Sequence, residues 1–185
     1  MNEREQNIVE AAIKLFAHYG VRKTSMTEIA AAAKVSRQTL YNSFECKEDL
    51  IFAALLCCGK MTKEAIERDC AQVADPGNRL DILFEHMGAI PFKAMHRLPH
   101  FNEVLDVGDN FEPERKAQIK DNYINAVRLV LAPYEKGLVQ AGIEPIQLSK
   151  LTFSVFTQIK RDANDVEGLR DLFEPMRGVI IASIQ

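Results

Sequence analysis

The chain has 185 residues, of which 47 % are hydrophobic and 26 % charged, with a formal charge of −3 at neutral pH. That length buries a substantial core as one domain or two small ones, and no apolar run reaches the roughly 18 residues that span a membrane. The charge is unevenly spread: residues 1–47 hold seven Lys and Arg against five Asp and Glu, and the remainder holds sixteen against twenty-one.

Residues Met1 to Gln6 are charged and polar and lack the apolar stretch of a signal peptide, so a cytoplasmic location is expected. From 3 to 19, Ile8, Ala12, Leu15, Phe16 and Tyr19 recur at helical spacing, and Gly20 ends the helix. Thr24 to Lys47 reads as two short helices joined by a tight turn. Ser25 with Glu28 forms an S-x-x-E capping box for the first, which runs to about Ala33. Lys34-Val35-Ser36 make the turn, and Ser36 caps a second helix through Ser43. This is a helix-turn-helix. Ile29, Ala30, Ala33, Val35, Leu40 and Phe44 fall where two crossing helices bury them.

The other face of the second helix is then free. Arg37 and Gln38 in its first turn are side chains that pair bidentately with guanine and adenine edges in a major groove. Thr39, Tyr41 and Asn42 carry groups that reach phosphates, and Ser25 and Lys47, at helix starts, are placed to grip the backbone on either side. A mildly basic head on an acidic body suits this, since only charge near a duplex releases counterions. A plain helical hairpin with a solvated polar face is the bland alternative.

The flanks bear on that choice. Ala12-Ile13-x-Leu15-Phe16-x-x-x-Gly20, then Thr24-Ser25-Met26-x-x-Ile29-Ala30, then Val35-Ser36-x-x-Thr39-Leu40-Tyr41-x-x-Phe44-x-x-Lys47-x-x-Leu50 closely resembles the DNA-binding module of the TetR family of bacterial transcriptional regulators. The resemblance covers the first quarter of the chain. It implies a DNA-binding domain at 1–47, with Thr24, Ser25, Ser36, Arg37, Gln38, Thr39, Tyr41, Asn42 and Lys47 at the duplex, and a ligand-binding and dimerisation domain at 48–185. Cys46 departs from the pattern, where the family more often has a Ser cap. The family's usual mode implies a repressor released from a palindromic operator by a small molecule; a ligand-responsive activator is the alternative.

Lys47 to about Val73 is again helical, with Leu50, Ala54, Cys57, Met61 and Ala65 on one stripe, and reads as one rod from head to body. Asp75-Pro76-Gly77-Asn78 is a turn signal. A helix with Leu80, Leu83, Phe84 and Met87 follows, then an interruption at Gly88 to Pro91, then Phe92 to about Leu98. Pro99-His100 and Asp106 to Pro113 read as loops around a short helix. Pro113 starts a long helix that stops at Gly142, with a kink expected near Leu129 because Pro133 lies inside it. No period-2 pattern occurs, so the architecture is all-α, with about nine helices.

From Pro145 to about Arg161, Leu148, Leu151, Val155 and Ile159 form one stripe while Phe153 and Phe156 point away from it. Two apolar faces need two burial partners. One is assigned to a second copy of the chain, together with Leu172, Met176, Val179 and Ile180 of a last helix at 165–184, as a four-helix bundle about a two-fold axis. The family resemblance implies the same pairing, a homodimer, and Pro175 should bend that last helix.

Met61, Phe84, Met87, Phe92, Met95, Phe101, Tyr123 and Phe153 are candidates for an adaptable pocket for an apolar or aromatic effector, with His96, Asn122 and Gln158 as polar points. The same set at helical spacing also describes plain core. No catalytic constellation, phosphate loop or cofactor motif occurs. His96 and His100 are four apart with Pro99 between and no third ligand at a helical spacing, so neither a metal site nor the alternative of an all-α metal-dependent enzyme gains support. Cysteines 46, 57, 58 and 70 show no metal spacing; reduced, packed thiols are the expected state, with a thiol sensor at Cys57 and Cys58 as the alternative.

Overall fold

The structure, a computed structural model, describes residues 1–184. Its elements are α1 (Glu3–Tyr19), α2 (Met26–Ala32), α3 (Arg37–Ser43), α4 (Lys47–Cys70), α5 (Pro76–Phe84), α6 (Ile90–Arg97), α7 (Phe101–Asp109), α8 (Pro113–Leu131), α9 (Glu135–Gln140), α10 (Pro145–Asp162) and α11 (Val166–Ala182). A π-helical turn, Glu85–Ala89, joins α5 to α6, and a 3-10 turn, Ala132–Tyr134, joins α8 to α9, which leaves nine helical runs and no strand among the described residues. The all-α expectation holds.

The described residues pack as two compact units, 1–58 with 94–119, and 59–93 with 120–184. This is a division by packing, and it falls at other positions than the functional division expected at 47 and 48.

In the first unit Ile8, Phe16, Ile29, Leu40, Leu50, Ile51 and Phe111 are among the residues that close the core. Burial of each large side chain contributes about 1.5–3 kcal/mol. Asn2 caps α1 in a capping box with Glu5, and Gly20 ends it at φ 88. Tyr19, expected on the buried stripe, is 54 % exposed, because the last turn of α1 extends past the core that Phe16 closes. Cys46 stands where the serine cap is missing, and its thiol donates to Asp49 Oδ2 at 3.3 Å. The Arg115 Nη2 ion pair at 2.8 Å holds the other oxygen of Asp49. The Arg115 guanidinium also lies 4.9 Å from the centre of the Phe52 ring, which meets Phe111 edge-on.

The second unit closes over Ile66, Leu80, Leu83, Phe84, Val127, Leu138, Phe156, Leu169 and Phe173. Phe173 stands between Phe84 and Phe156, with ring centres 5.2 and 5.0 Å away. Asp81 of α5 pairs with Arg170 of α11 at 2.7 Å and Arg177 at 3.3 Å.

Several sequence expectations need correction here. Pro76, Gly77 and Asn78 are not a turn; Asp75 is an N-cap whose side chain accepts from Asn78 N, and Pro76 opens α5 at the position where its missing N–H costs nothing. Gly88 to Pro91 does not interrupt the helix, since the π turn absorbs the extra residue and the helix carries on through Pro91. Asp106 to Asp109 complete α7 rather than a loop. The helix from Pro113 does not run unbroken to Gly142: α8 stops at Leu131, as a proline at 133 forces, and α9 restarts after the 3-10 turn. Met61, expected on a buried stripe of α4, is 62 % exposed, because the stripe rotates along the helix to Ile66 and Cys70.

Candidate nucleic-acid interface

The helix-turn-helix is built from local rules. At the start of α2, Ser25 Oγ accepts from Glu28 N at 3.2 Å while Glu28 Oε2 accepts from Ser25 N at 2.7 Å. Hydrogen bonds from the Ser25 backbone and then its hydroxyl hold the Glu28 carboxyl below the usual range. The turn uses Lys34 at φ 55, a left-handed conformation that costs a non-glycine residue about 1–2 kcal/mol. Two bonds offset it, Lys34 N to Ala31 O at 3.1 Å and Val35 N to Ala30 O at 3.0 Å. Asn7 of α1, which the sequence reading passed over, donates Nδ2 to Ala33 O at 2.8 Å. Ser36 Oγ caps α3 by accepting from Thr39 N at 3.0 Å and is hydrogen-bonded to Thr39 Oγ1 at 2.8 Å.

Within α3 only Leu40 is buried. Arg37, Gln38, Tyr41 and Asn42 are exposed, and Gln38 Nε2 donates to Asn42 Oδ1 at 2.8 Å, which aligns the two amides. Arg22, Lys23 and Lys34 are exposed near the same helices.

Two candidate residues have tasks inside the fold. Thr24 is 3 % exposed, and its hydroxyl donates to Gly20 O at 2.8 Å, so that hydroxyl is not available to a phosphate. Lys47 Nζ donates to Val21 O at 2.8 Å and Thr24 O at 3.1 Å, leaving one ammonium N–H. The amides of the same loop go to α7, where Glu103 Oε2 accepts from Val21 N at 2.9 Å and Arg22 N at 3.4 Å. Nothing in the local sequence around Glu103 signals this, because the partners are 82 residues apart.

The expected pocket residues are divided between the two packing units. Met95, His96 and Phe101 belong to the first unit, and the other eight to the second. Phe84, Met87 and Phe92 are core, at 2 %, 2 % and 3 % exposure. Tyr123 stacks on Phe153 at 5.9 Å, and Asn122 lies beside Gly59. Met61 and Gln158 are exposed, Gln158 bonding Asp162 at 2.9 Å. A concavity of about 310 Å³ in the second unit is lined instead by Lys63, Asn125, Arg128, Leu129, Leu131, Ala132, Glu135 and Pro145.

Of the expected dimer residues, Leu151, Leu172 and Val179 are exposed at 60 %, 44 % and 64 %, and Leu148, Val155 and Met176 are partly so. Ile159 and Ile180, at 7 % and 1 %, are taken up by the chain's own core, and Phe156, expected on the opposite face from Ile159, shares its side. The buried face of α10 runs through Ser149, Thr152, Phe156 and Ile159, one residue round from the expected stripe.

Among the described residues no group of three or more His, Cys, Asp or Glu is arranged to hold a metal ion. His100 Nδ1 meets Glu103 Oε1 at 2.9 Å, and His86 Nε2 meets Asp69 Oδ2 at 2.7 Å. All four cysteines are free. Desolvation pushes the Cys58 and Cys70 thiols up, against the direction a reactive thiolate needs. No described helix is long and apolar enough to cross a membrane.

A capped two-helix unit whose second helix buries one side chain and turns its polar ones outward is a helix-turn-helix. Residues 8–54 match the family model for bacterial regulatory proteins of the tetR family. That match takes in α1 to the first turns of α4, about a quarter of the chain, and makes this segment similar to the family's DNA-binding module. The chain is 44 % identical over 55 residues to the uncharacterized HTH-type transcriptional regulator YuxN of Bacillus subtilis, a match covering 30 % of this chain and 19 % of YuxN. It is 25 % identical over 192 residues to the HTH-type transcriptional regulator UidR of Escherichia coli, covering 95 % of this chain and 92 % of UidR. The FadR repressor of Thermus thermophilus, solved in complex with lauroyl-CoA, has the same fold, with a TM-score of 0.65 at 19 % identity over 93 % of this chain and 92 % of that one. The chain spans only 19 %, 35 % and 38 % of the first three curated relatives it matches.

Proposed function

We propose that the protein is a sequence-specific transcriptional regulator that binds a palindromic DNA operator as a homodimer and is released by a small molecule, acting as a repressor. The observation that carries this reading is α3, which commits Leu40 to the core and offers Arg37, Gln38, Tyr41 and Asn42 outward. Arg37 and Gln38 read base edges. Tyr41, Asn42, Thr39, Ser36, Ser25 and the remaining N–H of Lys47 fix register on phosphates. Two-fold pairing through Leu151, Val155, Leu172, Met176 and Val179 doubles the reading head, so half-sites about one turn of DNA or more apart are engaged together.

Effector release is supported by the body's aromatic and methionine content and by the ligand-bound FadR relative in fold. A ligand that shifts the separation of two linked heads removes avidity without touching DNA. Repression rather than activation follows the family's usual mode. The test is to recover duplexes from a random pool of about 30-bp sequences, a length that holds two half-sites. A two-fold symmetric consensus supports the reading, and recovery of unrelated sequences overturns it. Compounds raising the melting temperature then go to a linkage test: an effector that weakens operator binding by a factor binds the operator complex more weakly by that same factor.

A further inference from the structure

The loop Gly20–Thr24 joins α1 to the helix-turn-helix, and several of its polar groups are held from both sides. Gly20 N donates to Phe16 O at 2.9 Å, and Gly20 O accepts from Thr24 Oγ1 at 2.8 Å. Carbonyls of Val21 and Thr24 go to the Lys47 ammonium on α4. Amides of Val21 and Arg22 go to a single carboxylate oxygen, Glu103 Oε2 on α7. The loop thus sits between a cation taking its acceptors and an anion taking its donors, both charge-assisted.

The fit on the α7 side is close. A Cβ built on Gly20 would stand 2.7 Å from Glu103 Oε1 and 3.0 Å from Oε2, and Gly20 is at φ 88, so both space and backbone demand glycine there. Glu103 is itself oriented, since its other oxygen meets His100 Nδ1 at 2.9 Å. The next residue after the loop is Ser25, the N-cap of α2. A displaced loop would re-aim α2 and, through the short turn at Lys34, α3.

We infer that Glu103 is a positioning residue for DNA reading: its carboxylate on α7 fixes the Gly20–Thr24 loop that aims the helix-turn-helix. This rests on the DNA-binding reading above. Glu103 lies outside the reading head in sequence, on the segment 94–119 that the chain enters from the second unit and leaves to it. Operator affinity therefore depends on α7 being seated.

Electrostatics alone predicts the opposite sign, which makes the inference testable. Deleting a carboxylate from a DNA-binding unit should tighten binding through reduced phosphate repulsion. Positioning predicts weaker binding. The full-length protein is titrated with the duplex recovered by the wild type and with a scrambled duplex of the same length. Glu103→Ala is expected to bind the recovered duplex at least tenfold more weakly while its affinity for the scrambled duplex stays within about twofold or rises. Glu103→Gln, which keeps an oxygen for Val21 N–H, is expected to fall in between. Amide exchange at Val21 and Arg22 should accelerate in the same order. If Glu103→Ala does not fold, the Gln variant alone decides: faster exchange at both amides with undiminished specific affinity overturns the inference, as does a folded Ala variant that binds the recovered duplex as tightly as wild type or tighter. A wild type that selects no duplex is the failure of the DNA-binding reading itself.

Discussion

Arg79 Nη2 donates to the Leu129 carbonyl at 2.8 Å, across 50 residues of sequence. That carbonyl needs a donor from elsewhere because Pro133, four residues on, has no N–H to return to it. The same guanidinium takes Val130 O at 2.9 Å, and its Nη1 takes Cys70 O and Val73 O, both at 2.9 Å, just where α4 ends. Two helix ends are thus tied together by one side chain, with Cys70 O accepting from Val73 N as well, at 3.1 Å. Arg79→Met keeps the stem and removes the donors. With roughly 1–3 kcal/mol for each buried group left unsatisfied, and water meeting some of them, the expected loss is about 3–5 kcal/mol, read as a drop in the urea midpoint. Arg79→Lys should recover only part of it, because an ammonium lacks the planar fork.

The exposed apolar face of α10 and α11 is the expected site of pairing. Val179→Asp places a charge where a partner would have to bury it, and a buried unpaired charge costs several kcal/mol, about 3–5. The expected result is a monomer by light scattering, with an unchanged far-UV spectrum and weakened binding to the recovered duplex. A dimer of undiminished affinity would move the interface elsewhere. Leu151→Asp should behave alike. Ile180→Asp should instead unfold the second unit, since Ile180 is 1 % exposed within it.

Burial pushes the Lys160 amine down from 10.5 to about 8. Between those values the unfolded chain keeps a proton that the folded chain has shed, so this group makes stability rise with pH across that window. Below about 8 the amine is charged in both states and the folded state bears the desolvation. Lys160→Met should therefore be more stable than wild type at pH 7, with the difference shrinking as pH climbs from 8 to 10.5. Paired denaturant titrations of wild type and variant at several pH values read the difference.

Lys47 has two employments, and they separate by experiment. Loss of its ammonium frees two loop carbonyls and removes one positive charge. Lys47→Ala is expected to weaken binding to all duplexes and lower the salt slope by about one per half-site, and also to lower the melting temperature. Tyr41→Phe, on an exposed residue, should weaken binding to all duplexes with no change in melting temperature. If Lys47→Ala alters stability but not the salt slope, its role is confined to the loop.

Legibility in the sequence followed the range of the interactions. α1, the Ser25 and Ser36 caps and the boundaries of α2 and α3 were readable because each is fixed by residues within four positions. Pro133 signalled a kink, yet what forms there, a 3-10 turn with Arg79 supplying donors, depends on a partner 50 residues away. The same holds for Glu103, which looks like any surface glutamate of a short helix until the fold brings it to Val21. On α10 the period was right and the phase was off by one residue, since Leu151 and Phe156 are equally apolar and only packing on Phe173 decides which goes inside. Thr24 was assigned outward from its position in a motif, and only the fold turns its hydroxyl back to Gly20.

Base reading by α3 is measured by the affinity of wild type, Arg37→Ala and Gln38→Ala for the recovered duplex and every single-base-pair variant of one half-site. Each substitution is expected to flatten discrimination at one or two base pairs, by about 1–3 kcal/mol each, and to leave the other positions as they were. If both substitutions weaken every duplex by the same factor, Arg37 and Gln38 contact only the backbone and α3 is not the reading helix.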